Sequence, residues 1–221
     1  MTVPCQLTAP AAEFMGDLVQ GGAEERAWRS GSISPSDISA VMDRSPYQPR
    51  ADLLHRKATD GSRPPLRNPD QKGVGWVKQP ELAAEFAARH PQYQVTTTGY
   101  WRNVERSWQR CRPHRVLIPA AHDQACGPAP IVATLTLRTT HETLDEKGWG
   151  PDGGTQIPLI RYDEHQWLLD ALGLDYGHIV AYSRHDHETR MYRIDRDEEH
   201  IATLREAARV FLEEVAVAKG R

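Results

Sequence analysis

Several groups of residues have the types and spacing to do chemistry. In "RSGSISPSDIS", Arg29 precedes Ser34, Ser36 and Asp37. A guanidinium beside a helix start offers an anion a forked donor and unpaired backbone N–H groups. Ser34, three residues before Asp37, also fits the capping-box pattern, so the same serines serve a purely structural end equally well. "TLTLRTT" sets Thr136 and Arg138 two residues apart, on one face of a strand. "SRHDHETR" holds His185 and His187, an H-x-H pair that could present two imidazoles to a metal, although histidines in a polar turn are usually just solvated. Trp76, Trp101, Trp108, Trp149 and Trp167 have rings that can stack on bases, but most suit a core or a cleft wall. "GWGPDGGTQIP" is Gly-rich yet lacks the Lys and the following helix of a P-loop, which argues against nucleotide binding of that kind.

The chain that must position these groups has 221 residues, 26% charged and 39% hydrophobic, as expected of a soluble globular protein with one sizeable core. Its formal net charge of −3 provides no global field for nucleic acid, so any such contact must come from a local patch. Arginine well exceeds lysine, which suits forked phosphate recognition and is explained equally well by coding bias. Cys5, Cys111 and Cys126 are too few and scattered for a disulfide framework or a zinc site, so a reducing cytoplasm is the expected setting. No signal-type start, membrane-length apolar run or internal repeat is read, and no membrane partner is expected.

Residues 1–22 read as a loosely ordered leader with one short helix around Phe14, and 23–221 as a single domain. "SPSDISAVM" and "RADLLHRKAT" read as short helices separated by the breaker "SPYQP", the second ended by Asp60-Gly61. Residues 60–75 read as a loop. "PELAAEFAARHP" reads as a helix with Pro80 in its first turn. "YQVTTTGYW", "HRVLIPA" and "PIVATLTLRTT" read as strands, "DEHQWLLDALGL" as a helix stopped near Gly173, and "HIVAYS" and "TRMYRID" as strands joined by a polar turn. A last helix from about Asp195 to Ala218 carries the stripe Ile201, Leu204, Ala208, Phe211, Leu212, Val215. This order predicts a mixed α/β domain with a central sheet flanked by helices.

In order and spacing these motifs resemble the YqaJ-like viral recombinases, relatives of lambda exonuclease in the PD-(D/E)XK nuclease superfamily. The resemblance runs from about Arg29 to Val215 through "RSGSISPSDISAVMDRSPY", "GWVKQPELAAEFAARHP", "ERSWQRCRPHRVLI", "GPAPIVATLTLRTT", "IPLIRYDEHQWLLDALGLDYGHIVAY" and "MYRIDRDEEHIATLREAARVFLEE". It implies a restriction-endonuclease-like fold: a mixed central sheet flanked by helices. It also implies a site at which carboxylates bind Mg²⁺ or Mn²⁺ beside a lysine. Here the family's helix Glu falls on Gln79, its Pro-Asp on Pro113-His114, its strand Glu on Thr136 and its Lys on Arg138. Hard divalent cations need oxygen ligands with negative charge, and a permanently cationic guanidinium repels them. By the same resemblance Arg29 and Ser36 fall where family members contact DNA, including a terminal 5′-phosphate, and Gln166 matches a family glutamine, which by itself suits a structural hydrogen bonder better than a catalytic group; Arg138, where the metal would sit, would add a further phosphate contact.

The first expectation is therefore a catalytically degenerate protein that binds double-stranded DNA ends, including 5′-phosphorylated ones, and uses no cofactor. A recombination or defence complex would supply its protein partner. A second reading is an active Mg²⁺- or Mn²⁺-dependent 5′-to-3′ exonuclease with relocated acids, for which Glu81, Asp123 and Asp145 are the nearest candidates. A third is a protein-interaction scaffold that binds no DNA.

Overall fold

The computed structural model describes residues 6–19, 22–59, 69–123 and 127–220, with the backbone alone for 69–76. Cys5, Cys126, the Asp60-Gly61 stop and the Trp76 side chain lie outside the described residues. The centre is a five-stranded sheet in the order β10 (Thr189–Asp195), β9 (Tyr176–Ser183), β8 (Ala133–Thr140), β6 (Arg115–Pro119), β3 (Tyr93–Thr96). Only β8 and β9 are parallel; the other pairs are antiparallel.

Period-two alternation along β8 sends its residues to two different layers. Leu135 and Leu137 face α4 (Pro69–Arg89) and pack with Leu82, Ala83, Phe86 and Val180. Thr136 faces the opposite way, toward His165 of α5 (Leu159–Leu172). Helix α5 is enclosed on all sides: every residue from Asp163 to Leu172 is buried. Its Trp167 packs with Ile33, with Ile38 of α2 (Pro35–Val41), Leu53 of α3 (Arg50–Ala58), and Leu204 and Phe211 of α6 (Glu198–Lys219). Gly173 ends α5 at φ 73°, a left-handed conformation that glycine adopts without penalty. Gly177 is required by contact: a Cβ there would stand 2.5 Å from Thr134 Oγ1 and 2.6 Å from His165 Nε2.

The mixed α/β architecture is as expected, with four differences in the elements. The segment around Phe14 is a strand, not a helix: β1 (Leu7–Thr8) pairs with β7 (Ala129–Pro130), and β2 (Ala12–Gly16) pairs with β4 (Tyr100–Asn103), which also carries β5 (Arg110–Cys111). Leu7, Ala9 and Ala12 join the core that contains Leu168 and Leu172, so burial decides this segment where its mixed composition did not. "YQVTTTGYW" is two strands in different sheets, β3 and β4. "PIVATLTLRTT" likewise splits into β7 and β8. Helix α4 begins at Pro69 and carries Pro80 in its interior, where a missing N–H and ring crowding cost about 3 kcal/mol. Burial of Leu82 and Phe86 on the sheet, about 1.5–3 kcal/mol per large apolar side chain, offsets that cost. Among the described residues no helix is long and apolar enough to cross a membrane.

Candidate phosphate-binding site

A cavity of about 170 Å³ opens between the start of α2, the Thr136–Arg138 end of β8, the turn before β6 and the first half of α5. The structure brings five of the expected residues to it: Arg29, Ser36, His114, Thr136 and Arg138. Gln79 does not line it. Gln166 does not either: it is fully buried, donates through Nε2 to the Asp195 carbonyl (2.8 Å) and accepts from the Asp197 N–H (3.0 Å). It fastens α5 to the β10–α6 junction and has no path to a ligand.

Arg112, Arg161, Glu164 and His165, which no sequence motif singles out, also line the cavity. Arg161, Glu164, His165 and Leu168 stand at i, i+3, i+4 and i+7, the spacing of one helix face. That spacing was the available signal. It was obscured because the stripe mixes charge with apolar groups and the opposite face of α5 is buried too.

The electrostatics are cationic. Four guanidinium groups, of Arg29, Arg112, Arg138 and Arg161, line the cavity, with Glu164 the one carboxylate among the lining residues. Glu164 accepts from Arg138 Nη2 (2.5 Å) and from Arg161 Nη1 (2.8 and 3.1 Å). Arg29 is held from behind by buried Glu25 (Nε to Oε1 2.7 Å), which also accepts from the Tyr100 hydroxyl (3.1 Å). The two imidazoles add no charge. Burial, and then Arg138, lowers His114 to about 3; burial, then Arg138 and His178, lowers His165 to about 3. His114 Nδ1 accepts from the Leu137 N–H (3.0 Å), which fixes its tautomer with the proton on Nε2.

The lining is anchored by a buried charge cluster. Asp37 accepts from the Ser34 N–H (3.1 Å), Arg56 Nη2 (2.9 Å) and Lys57 Nζ (3.1 Å). Lys57, 1% exposed, also donates to the carbonyls of Arg29 (2.6 Å) and Ser32 (2.5 Å). The end of α1 (Ala23–Ser30), the following link and the start of α2 are thus tied to one ammonium group. Helix α2 has only seven residues, so its dipole adds little beside the guanidinium groups.

The residues present do not fit a hard divalent cation. Thr136 and His114 bring no negative charge, Arg138 is cationic, and Glu164 is engaged by two arginines. Among the described residues no three His, Cys, Asp or Glu side chains are grouped to hold a metal ion. None of Glu81, Asp123 and Asp145 lines the cavity; Glu81 pairs with Lys78, and Asp145 with Arg190. His185 and His187 are exposed in the β9–β10 turn, and His187 Nδ1 meets the Tyr182 hydroxyl (2.6 Å). Trp101, Trp149 and Trp167 are buried, and Trp28 lines the cavity.

No protein-family model matches this sequence, and no curated protein does. Solved structures do match. LHK-Exo, an alkaline exonuclease from Laribacter hongkongensis, superposes with a TM-score of 0.67, and its complex with dAMP with 0.69. Both share 16% identity with this chain and cover 90% of it and 95% of their own length. At that identity the likeness establishes architecture alone: the chain has the PD-(D/E)XK-type fold of an alkaline exonuclease.

Proposed function

We propose that this protein is a catalytically degenerate relative of the phage-type exonucleases that binds double-stranded DNA ends through the arginine cavity, as a subunit or regulator in recombination or defence. In this reading the protein acts in the cytoplasm. One observation carries it: where the resemblance puts metal-binding acids, the cavity holds four guanidinium groups and a carboxylate already paired with two of them. Such a lining suits phosphate oxygens and repels a cation. The likeness to an exonuclease whose structure is known with dAMP bound supports a phosphate-bearing nucleic acid as the ligand.

The test is incubation of purified protein with 5′-phosphorylated linear duplex in Mg²⁺ or Mn²⁺. The expected outcome is intact DNA with measurable binding. Metal-dependent nucleotide release, abolished by changing Glu81, Asp123 or Asp145, would overturn the degenerate reading in favour of an active exonuclease. Absence of any DNA binding would favour an interaction scaffold.

A further inference from the structure

The Arg138–Glu164–Arg161 arrangement is more specific than a basic patch. Glu164 has an 8% exposed side chain, yet its two partners remain open to the cavity, Arg138 at 29% and Arg161 at 21%. A guanidinium carries five N–H donors. Glu164 occupies Nη2 of Arg138 and Nη1 of Arg161, and Arg138 Nε is buried with no hydrogen-bond partner among the described residues. One carboxylate thus leaves two facing guanidinium groups under-neutralised and under-bonded. Arg112 lines the same cavity, and its guanidinium stands 5.1 Å from the Tyr100 ring centroid.

We propose that Glu164 is a resident counter-anion, and that a terminal phosphate monoester of DNA enters the cavity beside Arg29 by taking donors of Arg138 and Arg161 from it, with Arg112 as a further ligand. This rests on the DNA-end reading and names its ligand residues. A phosphate dianion neutralises two guanidinium groups where a carboxylate neutralises one. An internal phosphodiester carries a single charge and gains less. Glu164 holds the arginines together when the cavity is empty and repels the incoming phosphate, so it lowers affinity, and lowers it most for the dianion. Free inorganic phosphate has the same chemistry, so the experiment separates the two sources.

Fluorescence anisotropy in EDTA would compare parent, Glu164→Gln and Arg161→Gln on short duplexes with 5′-phosphate and with 5′-hydroxyl ends. Removing a like charge beside the phosphate is expected to tighten binding of the phosphorylated end about tenfold. The hydroxyl end should change far less. Loss of a charge-assisted contact in Arg161→Gln is expected to weaken phosphorylated-end binding by about tenfold or more. Unchanged or weaker binding by folded Glu164→Gln would overturn the counter-anion role while leaving DNA-end binding intact. If Glu164→Gln fails to fold, an undiminished phosphate preference in Arg161→Gln would overturn the assignment by itself. If neither parent nor variant binds DNA, the melting temperature with inorganic phosphate decides. A larger rise in Glu164→Gln than in the parent supports the cavity as an anion receptor although the DNA reading has failed. No rise in either overturns both.

Discussion

An imidazole in an unfolded chain protonates near pH 6.5, whereas His165, 2% exposed, stays neutral to about 3 because burial and then Arg138 oppose its charge. As pH falls between those values the unfolded chain binds a proton that the folded one refuses. Stability from this residue is therefore full above about pH 6.5 and is lost progressively toward 3. His114, lowered to about 3, and His178, lowered to about 4, act in the same window and with the same sign. The urea midpoint is thus expected to fall from pH 7 to pH 4.5, each such proton contributing at most about 1.4 kcal/mol per pH unit. His165→Asn should make that fall shallower; an unchanged slope would contradict the buried neutral state. At this scale much of the site was legible. Arg29, Ser36, His114, Thr136 and Arg138 converge as the motifs implied. Gln79 and Gln166 do not, because a motif match names a position on an element and leaves open which way the side chain turns. Arg161 and Glu164 went unread because an Arg–Glu pair at i, i+3 is the ordinary dress of a solvated helix surface.

Among the elements, the α1–α2 link depends on one buried ammonium group. Burial lowers the Lys57 amine while Asp37 opposes that shift, and three acceptors surround its nitrogen. Lys57→Met would take a donor from the Arg29 and Ser32 carbonyls and weaken the Asp37 pairing, at a cost of about 3 kcal/mol or more. Lys78→Met, which removes a pair with exposed Glu81, is expected to cost far less, because water screens such a pair. Urea unfolding of both variants checks this, and equal costs would contradict the anchoring role. Element types were legible wherever period and punctuation agreed, as in α5 with Gly173 and in α6 with its apolar stripe. They were not where tertiary contact overrode local preference. Phe14 lies in a strand only because β4 is there to pair with, and α4 continues through Pro80 because its apolar face is already seated on the sheet.

Taken whole, the molecule sets a small cationic cavity in an acidic chain of net charge −3. The charge total therefore says little about the ligand, while the local field is strong where four arginines face one space. The fold was legible from the sequence because its motifs kept their order over most of the chain. The candidate site was legible only as a set of departures from the pattern that the resemblance implies. The proposed function requires this cavity to select a phosphorylated DNA end without cutting it. The most direct measurement is the affinity for short duplexes bearing 5′-phosphate or 5′-hydroxyl ends, read by fluorescence anisotropy in EDTA for the parent and Arg29→Ala. Tighter binding of the phosphorylated end is expected, together with about a 10- to 100-fold loss on that end in Arg29→Ala, the scale of one charge-assisted contact, and a preference that shrinks at high salt. Equal affinity for both ends, unmoved by Arg29→Ala, would contradict the proposed function.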